Sequence, residues 1–159
     1  MRGVAPRCTA PGVAAMGPKP LQATGELADG TLPYLAGPST IAEFIQPTIP
    51  KAAADAGGPA PRVIAAVPVL ISEDPEAARR TVAERLSFYE TIPSYQKVIA
   101  RERLTDVTNL AAIGSVEAVV RRLKIYLDAG ATDAVISPVC AEESDTEGFW
   151  EVARSIDDA

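Results

Sequence analysis

The 159-residue sequence contains no histidine. Every catalytic triad, imidazole acid–base pair or histidine-bearing zinc site is therefore excluded within this chain. Cysteine is nearly absent too. Cys8 and Cys140 stand far apart and in no C-x-x-C spacing, so neither a disulfide framework nor a structural zinc is expected. Reduced thiols in a cytoplasmic protein are the simplest expectation. No apolar run reaches the length of a membrane span, and proline and glycine interrupt any signal-like stretch near residues 1–17. Positive charge is in short supply: 15 Lys and Arg stand against 21 Asp and Glu, a net charge of −6. That balance argues against nucleic acid or an anionic membrane as a partner. The deficit is local, because residues 1–70 sum to +1 and residues 71–159 to −7.

What is present reads as one soluble α/β domain. Hydrophobic residues make up 47% of the chain and charged residues 23%, and a chain of this length buries a core without staples. Short apolar runs alternate with helical patterns four times. Predicted strands cover residues 12–16 (GVAAM), 31–36 (TLPYLA, with Pro33 as a weak point), 62–72 (RVIAAVPVLIS) and 134–136 (AVI). Between them, residues 21–28 predict a helix closed by Gly30 as a left-handed cap. Thr40 and Glu43 have the spacing of a capping box, opening a helix towards Ala56 that Pro47 and Pro50 should kink or break before Gly57 and Gly58. Asp74 followed by Pro75 starts a helix with Ala78, Val82, Leu86 and Tyr89 on one face, and residues 94–104 restart it. Residues 105–111 read as a polar connection. Ser115 caps an amphipathic helix bearing Val116, Val119, Val120, Leu123 and Leu127 and ending at Gly130, and a last acidic helix has Phe149, Trp150 and Val152 as apolar anchors. The order β-α-β-α-β-α-β-α implies a parallel sheet with helical crossovers.

Candidate sites gather where strands end. The turn Ala14, Ala15, Met16, Gly17, Pro18 opens onto a helix, where backbone amides of Met16, Gly17 and Lys19 can cradle a phosphate. The turn at Gly37, Pro38 and Ser39 is built alike. Ser137 and Cys140 should face the same rim, although no histidine is present to activate either as a nucleophile. Glu142, Glu143, Asp145 and Glu147 lack the spacing of a calcium loop and read as an acidic helix start. Arg79, Arg80, Arg121 and Arg122 read as solvated helix faces paired with nearby acids. These residues alone do not identify a reaction.

The stretch GVAAMGPKPLQATGELADGTLPYLAGPSTIAEFIQPTI resembles the luciferase-like monooxygenase family, especially its deazaflavin-dependent bacterial branch. Members show a "VAALGP" strand end and then "LAGELADGTLPWLAGPRTIAEHIVPTI"; the matching positions here are 13–18, 25–38 and 40–49. Residues 71–79 are similar to the family's "DDPDAAR" helix start, 86–95 to its "F-x-x-Y-x-x-L-P-S-Y" segment, and 114–138 to its closing "Y-x-D-A-G-x-T-D-x-V-x-S-P" pattern. The resemblance implies that residues 12–159, after an irregular segment 1–11, are four βα units forming the C-terminal half of a TIM-type (β/α)8 barrel. It implies an oxidoreductase or monooxygenase using coenzyme F420, with FMN as the alternative, acting on a small-molecule substrate. It also implies that Met16 and Gly17 hold the cofactor's phosphate tail through their amides. Met16 departs from the usual Leu, Gly or Ser, and Pro50 from the usual helix residue. Most family catalytic groups belong to the other half, so a non-catalytic half-barrel remnant or phosphate-binding module needing a partner chain is the alternative. A four-unit sheet leaves two open edges, which predicts a homo-oligomer, a partner half-barrel or aggregation.

Overall fold

The computed structural model describes residues 13–140 and 146–157; the irregular segment 1–11, Cys8, Glu142, Glu143 and Asp145 lie outside them. The chain forms a parallel sheet with helical crossovers. Helix α1 (Pro18–Leu27) leads to β1 (Gly30–Thr31); α2 (Pro38–Thr40) continues through a π-helical turn (Ile41–Ile45) into α3 (Gln46–Asp55). Then come β2 (Arg62–Ile71), α4 (Pro75–Glu90), α5 (Pro93–Arg101), β3 (Ala112–Gly114), α6 (Val116–Asp128), β4 (Asp133–Pro138) and α7 (Thr146–Asp157).

β2 is the central strand, and all its pairings are parallel. Its backbone groups alternate between two edges, as the pleat requires. On one edge Arg62 N donates to Asp29 O, Ala66 N to Pro33 O and Ser72 N to Gly114 O. On the other, Val63 O accepts from Thr132 N and Val69 O from Val139 N. β3 therefore takes up the edge that residues 29–35 leave, and β4 has the opposite edge to itself. With Val13 bridged to Thr31, the sheet has four rows in chain order.

The predicted first strand is thus a single bridge at Val13, and the second is β1 plus a bridge from Tyr34 to Ala66. Pro33 explains the gap, since it can offer a carbonyl but no N–H to the ladder. The segment 105–111 is not a plain connection: it contains a 3-10 turn (Val107–Leu110), and β3 follows it directly. Three residues are too few for a periodic signal. Gly30 is not a left-handed cap either. It lies within β1, where a Cβ would overlap the carbonyl of Arg62, so close strand approach is what requires glycine there.

The capping box at Thr40 is also absent. Gly37 caps the helix, Pro38 is its first residue, and Thr40 lies inside it. Pro47 and Pro50 do not break the helix; the wider π turn just upstream of Pro47 accommodates a residue that cannot donate. Other caps match expectation. Asp74 Oδ1 accepts from Glu76 N and Ala77 N at 3.1 and 3.0 Å, Ser115 Oγ from Ala118 N at 3.4 Å, and Gly57 and Gly130 sit at φ +72° and +106°.

One face of the sheet carries the helices. Val63, Ala65, Val67 and Val69 of β2, with Ala134 and Ile136 of β4, pack against Leu21, Ile41, Ile45, Ile49, Val119, Leu123, Tyr126 and Val152. Val152 and Phe149 do anchor α7, but Trp150 does not: it is 63% exposed. On the opposite face, Leu32 and Val135 are 37% and 43% exposed, with Ile64 half-buried between them.

Candidate functional site

The C-terminal ends of the rows meet in a second apolar cluster. Leu35, Leu70, Val98 and Leu110 are among its buried members, and Met16, Tyr34, Tyr89, Tyr95, Val139 and Cys140 are among the residues packed around them. Met16 and Cys140, 124 positions apart in the chain, thus pack against one cluster, and the register puts Ser137 on the same sheet face as Tyr34. Tyr34, Tyr89 and Tyr95 form an aromatic run, with ring centroids 5.4 Å apart for the first pair and 4.9 Å for the second. Partial burial raises the pKa of both Tyr34 and Tyr95, reinforced by Tyr89 beside each. Both phenols are neutral donors at pH 7. The sequence pattern did not single out these tyrosines. The spacing of Tyr89 and Tyr95 was visible, whereas the approach of Tyr34 from another row was not.

The two glycine–proline turns differ. At the first, Gly17 is the N-cap of α1 with extended backbone (φ −111°, ψ 161°), and no side chain caps it. Pro18 and Pro20 have no N–H to give, so the amides available to an anion are those of Met16, Gly17 and Lys19, and Lys19 itself is exposed. At the second, an internal carboxylate is already in place. Glu102, just past α5, accepts from Ser39 N at 3.2 Å and Thr40 N at 2.5 Å. A Cβ on Gly37 would overlap that carboxylate, so glycine is what admits it. The second turn is an anion site filled by the chain itself.

The neighbouring Arg101 lies over the Phe44 ring at 3.7 Å, with one buried guanidinium nitrogen lacking a partner. Thr40 Oγ1 is likewise buried without a partner. Arg122 departs from the expectation of a solvated helix face. It donates to Asn109 O at 2.8 Å and lies over Tyr126, whose hydroxyl donates to Leu110 O at 2.8 Å. Burial pushes the Tyr126 phenol up to about 12, which marks it as structural. Arg79, Arg80 and Arg121 are exposed, as expected.

Cys140 is a half-buried free thiol, and Glu147 starts α7. Among the described residues, no group of three or more His, Cys, Asp or Glu is placed to hold a metal, and no helix is long and apolar enough to cross a membrane. The rim can therefore bind an anion on backbone amides and present mutually tilted tyrosine rings with phenol donors. It contains no imidazole, since the chain has no histidine.

Comparison with known proteins places this arrangement. The sequence profile of luciferase-like monooxygenases matches residues 10–133. No curated protein matches the chain in sequence. Among solved structures, an F420-dependent secondary alcohol dehydrogenase in complex with an F420–acetone adduct superposes with a TM-score of 0.69 at 16% identity, over 89% of this chain and 47% of that one. A coenzyme F420-dependent tetrahydromethanopterin reductase from Methanopyrus kandleri gives 0.60 at 22%, over 89% and 48%. An EDTA monooxygenase from a Chelativorans species gives 0.67 at 14%, over 96% and 46%. The chain spans about half the length of these structures.

Proposed function

The chain belongs to the luciferase-like monooxygenase family, and from that premise we propose that it is the C-terminal half of a (β/α)8 barrel that holds the phosphate tail of coenzyme F420 in an oxidoreductase, with FMN as the alternative cofactor. The carrying observation is the contrast at the rim: one Gly-Pro turn is filled by Glu102, while the Met16, Gly17 turn has amides and a lysine free of any capping side chain. That donor set suits an anionic phosphate, because N–H dipoles at a helix start and a nearby ammonium both favour negative charge. Met16 contributes its amide, and its side chain packs against the same apolar cluster as Tyr34, Tyr89 and Tyr95. Tyr34 offers a neutral phenol and a ring face to a flat heterocycle on the inner side. The deazaflavin or flavin ring supplies hydride or oxygen chemistry when bound. This chain's own residues bind and orient it, and the remaining catalytic groups come from a complementary half. A cytoplasmic location, consistent with the free Cys140 thiol, belongs to the same reading.

The test compares ligands that differ only in phosphate. FMN and riboflavin are titrated against the chain and followed by flavin fluorescence, and F420 is titrated alongside. Tighter FMN binding by about tenfold or more is expected from a charge-assisted amide cradle. Equal affinities for FMN and riboflavin would overturn the role of Met16 and Gly17. F420 binding more tightly than FMN decides the cofactor. Binding without turnover when substrate alcohols and an electron acceptor are supplied favours a non-catalytic module.

A further inference from the structure

A crevice of about 250 Å3 lies between α4, the 3-10 turn, β3 and α6, and the cofactor reading does not use it. Arg79 of α4 and Arg122 of α6 both line it. Thr108 and Asn109 of the 3-10 turn, with Ala111 and Ile113 at β3, complete the lining. Every one of these residues falls between positions 79 and 122, so the middle of the chain builds the crevice alone.

The two guanidinium groups lack a carboxylate of their own. Among the described residues, no Asp or Glu lines the crevice and neither arginine forms an ion pair. Side chains three or four positions apart meet on a helix. Around Arg122 those positions hold Ala118, Val119, Ile125 and Tyr126, none of them acidic. Around Arg79 the one acid is Glu76, and the two do not pair. Yet this is the acidic part of the chain, since residues 71–159 sum to −7. Acids of the adjoining elements are engaged elsewhere. Asp106 accepts from Thr108 N at 3.0 Å and Asn109 Nδ2 at 3.2 Å, and Glu90 Oε1 accepts from Val107 N at 2.9 Å. Two like charges at one crevice repel each other, and a bound anion relieves that repulsion. Arg122 is also held in place. Its Nη2 donates to Asn109 O at 2.8 Å and its guanidinium lies 5.4 Å from the Tyr126 ring centroid, which leaves its other N–H donors on a fixed group.

We propose that this crevice binds a small organic dicarboxylate, with one carboxylate on Arg122 and the other on Arg79. A planar fork of N–H donors matches a carboxylate through two parallel bonds. The apolar lining suits the remainder of such a molecule: Ala111 is buried and Ile113 half-buried, so a short hydrocarbon chain between two carboxylates meets apolar surface there. Size selects in the same direction. The crevice is smaller than the roughly 300–1,000 Å3 of pockets for drug-sized ligands, so its ligand is a small one. A single phosphate offers one anionic centre and leaves the apolar lining uncovered. The site is separate from the Met16, Gly17 turn, none of whose residues line it.

The experiment titrates the full chain at low salt with succinate, glutarate, acetate and inorganic phosphate, following the arginine Nε–H resonances by heteronuclear NMR. The signals of Arg79 and Arg122 should move together with either dicarboxylate. Affinity should exceed that for acetate by about tenfold or more, because a second charge-assisted fork is engaged. Arg79→Gln, at an exposed position, should bring dicarboxylate binding down to the acetate level. Arg122→Lys keeps the charge but loses the fork, and should weaken binding by about fivefold. Circular dichroism verifies that each variant keeps its helices. Arg80→Gln changes the net charge equally from an exposed position outside the crevice, and should leave the affinity unchanged. Dicarboxylates that bind no more tightly than acetate overturn the proposal. So does phosphate binding more tightly than either dicarboxylate, or a loss in Arg80→Gln equal to that in Arg79→Gln. No flavin is present in these titrations, so their outcome and that of the FMN comparison stand apart.

Discussion

The turns at Gly17 and Gly37 start from the same ingredients. Each follows a row of the parallel sheet, each places proline at the first helical position, and each uses glycine as an extended N-cap without a side-chain cap from its own segment. They end in opposite states. Glu102 arrives from more than 60 residues away and satisfies Ser39 N and Thr40 N, whereas no carboxylate reaches Met16, Gly17 or Lys19 among the described residues. An anion-seeking turn is therefore defined by what the rest of the fold delivers to it. A filled turn contributes to stability; an unfilled one keeps its donors for a ligand.

The sharpest way to break this contrast is to empty the filled turn. Glu102→Ala should destabilise the protein by about 3 kcal/mol in denaturant unfolding, since hydrogen bonds to charged groups are worth roughly 1.5–3 kcal/mol each and two amides lose theirs. The same variant should gain stability from added sulfate or phosphate more steeply than the parent, because a second amide cradle is now free. No gain beyond the parent's would mean that Glu102 is mere packing. Gly37→Ala comes next. Its Cβ overlaps the carboxylate, so the cost is bounded by losing those bonds and should reach about 2 kcal/mol. Gly17→Ala is the matched control: the nearest atom is Pro20 Cδ at 3.4 Å, an ordinary contact, and the loss should stay within about 0.5 kcal/mol.

That asymmetry also marks how far the sequence could be read. Strand β2, the caps at Asp74 and Ser115 and the helix end at Gly57 were legible because local chemistry decides them. The family motifs carried the fold class and placed Met16 and Gly17 at a row end. What escaped was decided by contacts distant in sequence. Thr40 looked like a cap, but the helix starts earlier, at Pro38, and its first amides are served by Glu102. Gly30 looked like a helix stop, but Arg62 of the next row approaches it. Trp150 looked like an anchor by type alone, and Val152 took that position. β3 was too short for periodicity, and it pairs only where the chain of residues 29–35 has left the edge of β2 open.

Alkali offers a smaller handle on the filled side. The Tyr126 phenol is raised from 10.0 to about 12, mainly by burial, with the Glu102 charge adding to the rise and Arg122 opposing it. A phenol whose pKa rises on folding contributes stability that is complete below pH 10 and lost as pH climbs through 12. About 1.4 kcal/mol should be gone by pH 11, taking one pKa unit as 1.36 kcal/mol. Urea unfolding at pH 9 and pH 11 measures it, and Tyr126→Phe should flatten that dependence. In Glu102→Gln the decline between pH 9 and pH 11 should be smaller than in the parent, because a lower folded-state pKa narrows its gap from the unfolded value. An equal decline would show that the carboxylate at the Gly37 turn is not felt at the phenol.

The smallest effect tests the unfilled side alone. Lys19 is exposed in the first turn of α1, two residues after Gly17, so removing its charge should leave unliganded stability within about 0.5 kcal/mol. Exposed charge contacts are worth roughly 0.2–1 kcal/mol, and Lys19→Gln should accordingly weaken FMN by about two- to fivefold at low salt. The difference should shrink as salt is added, because screening erases an exposed contact first. Lys51→Gln serves as the comparison. Its ammonium sits 2.6 Å from Asp55 in an exposed pair on α3, so it changes net charge equally without touching the turn. If both variants weaken FMN alike, the effect is the field of the whole chain. If Lys19→Gln alone does so, the ammonium acts at the turn, where the amides of Met16 and Gly17 lie.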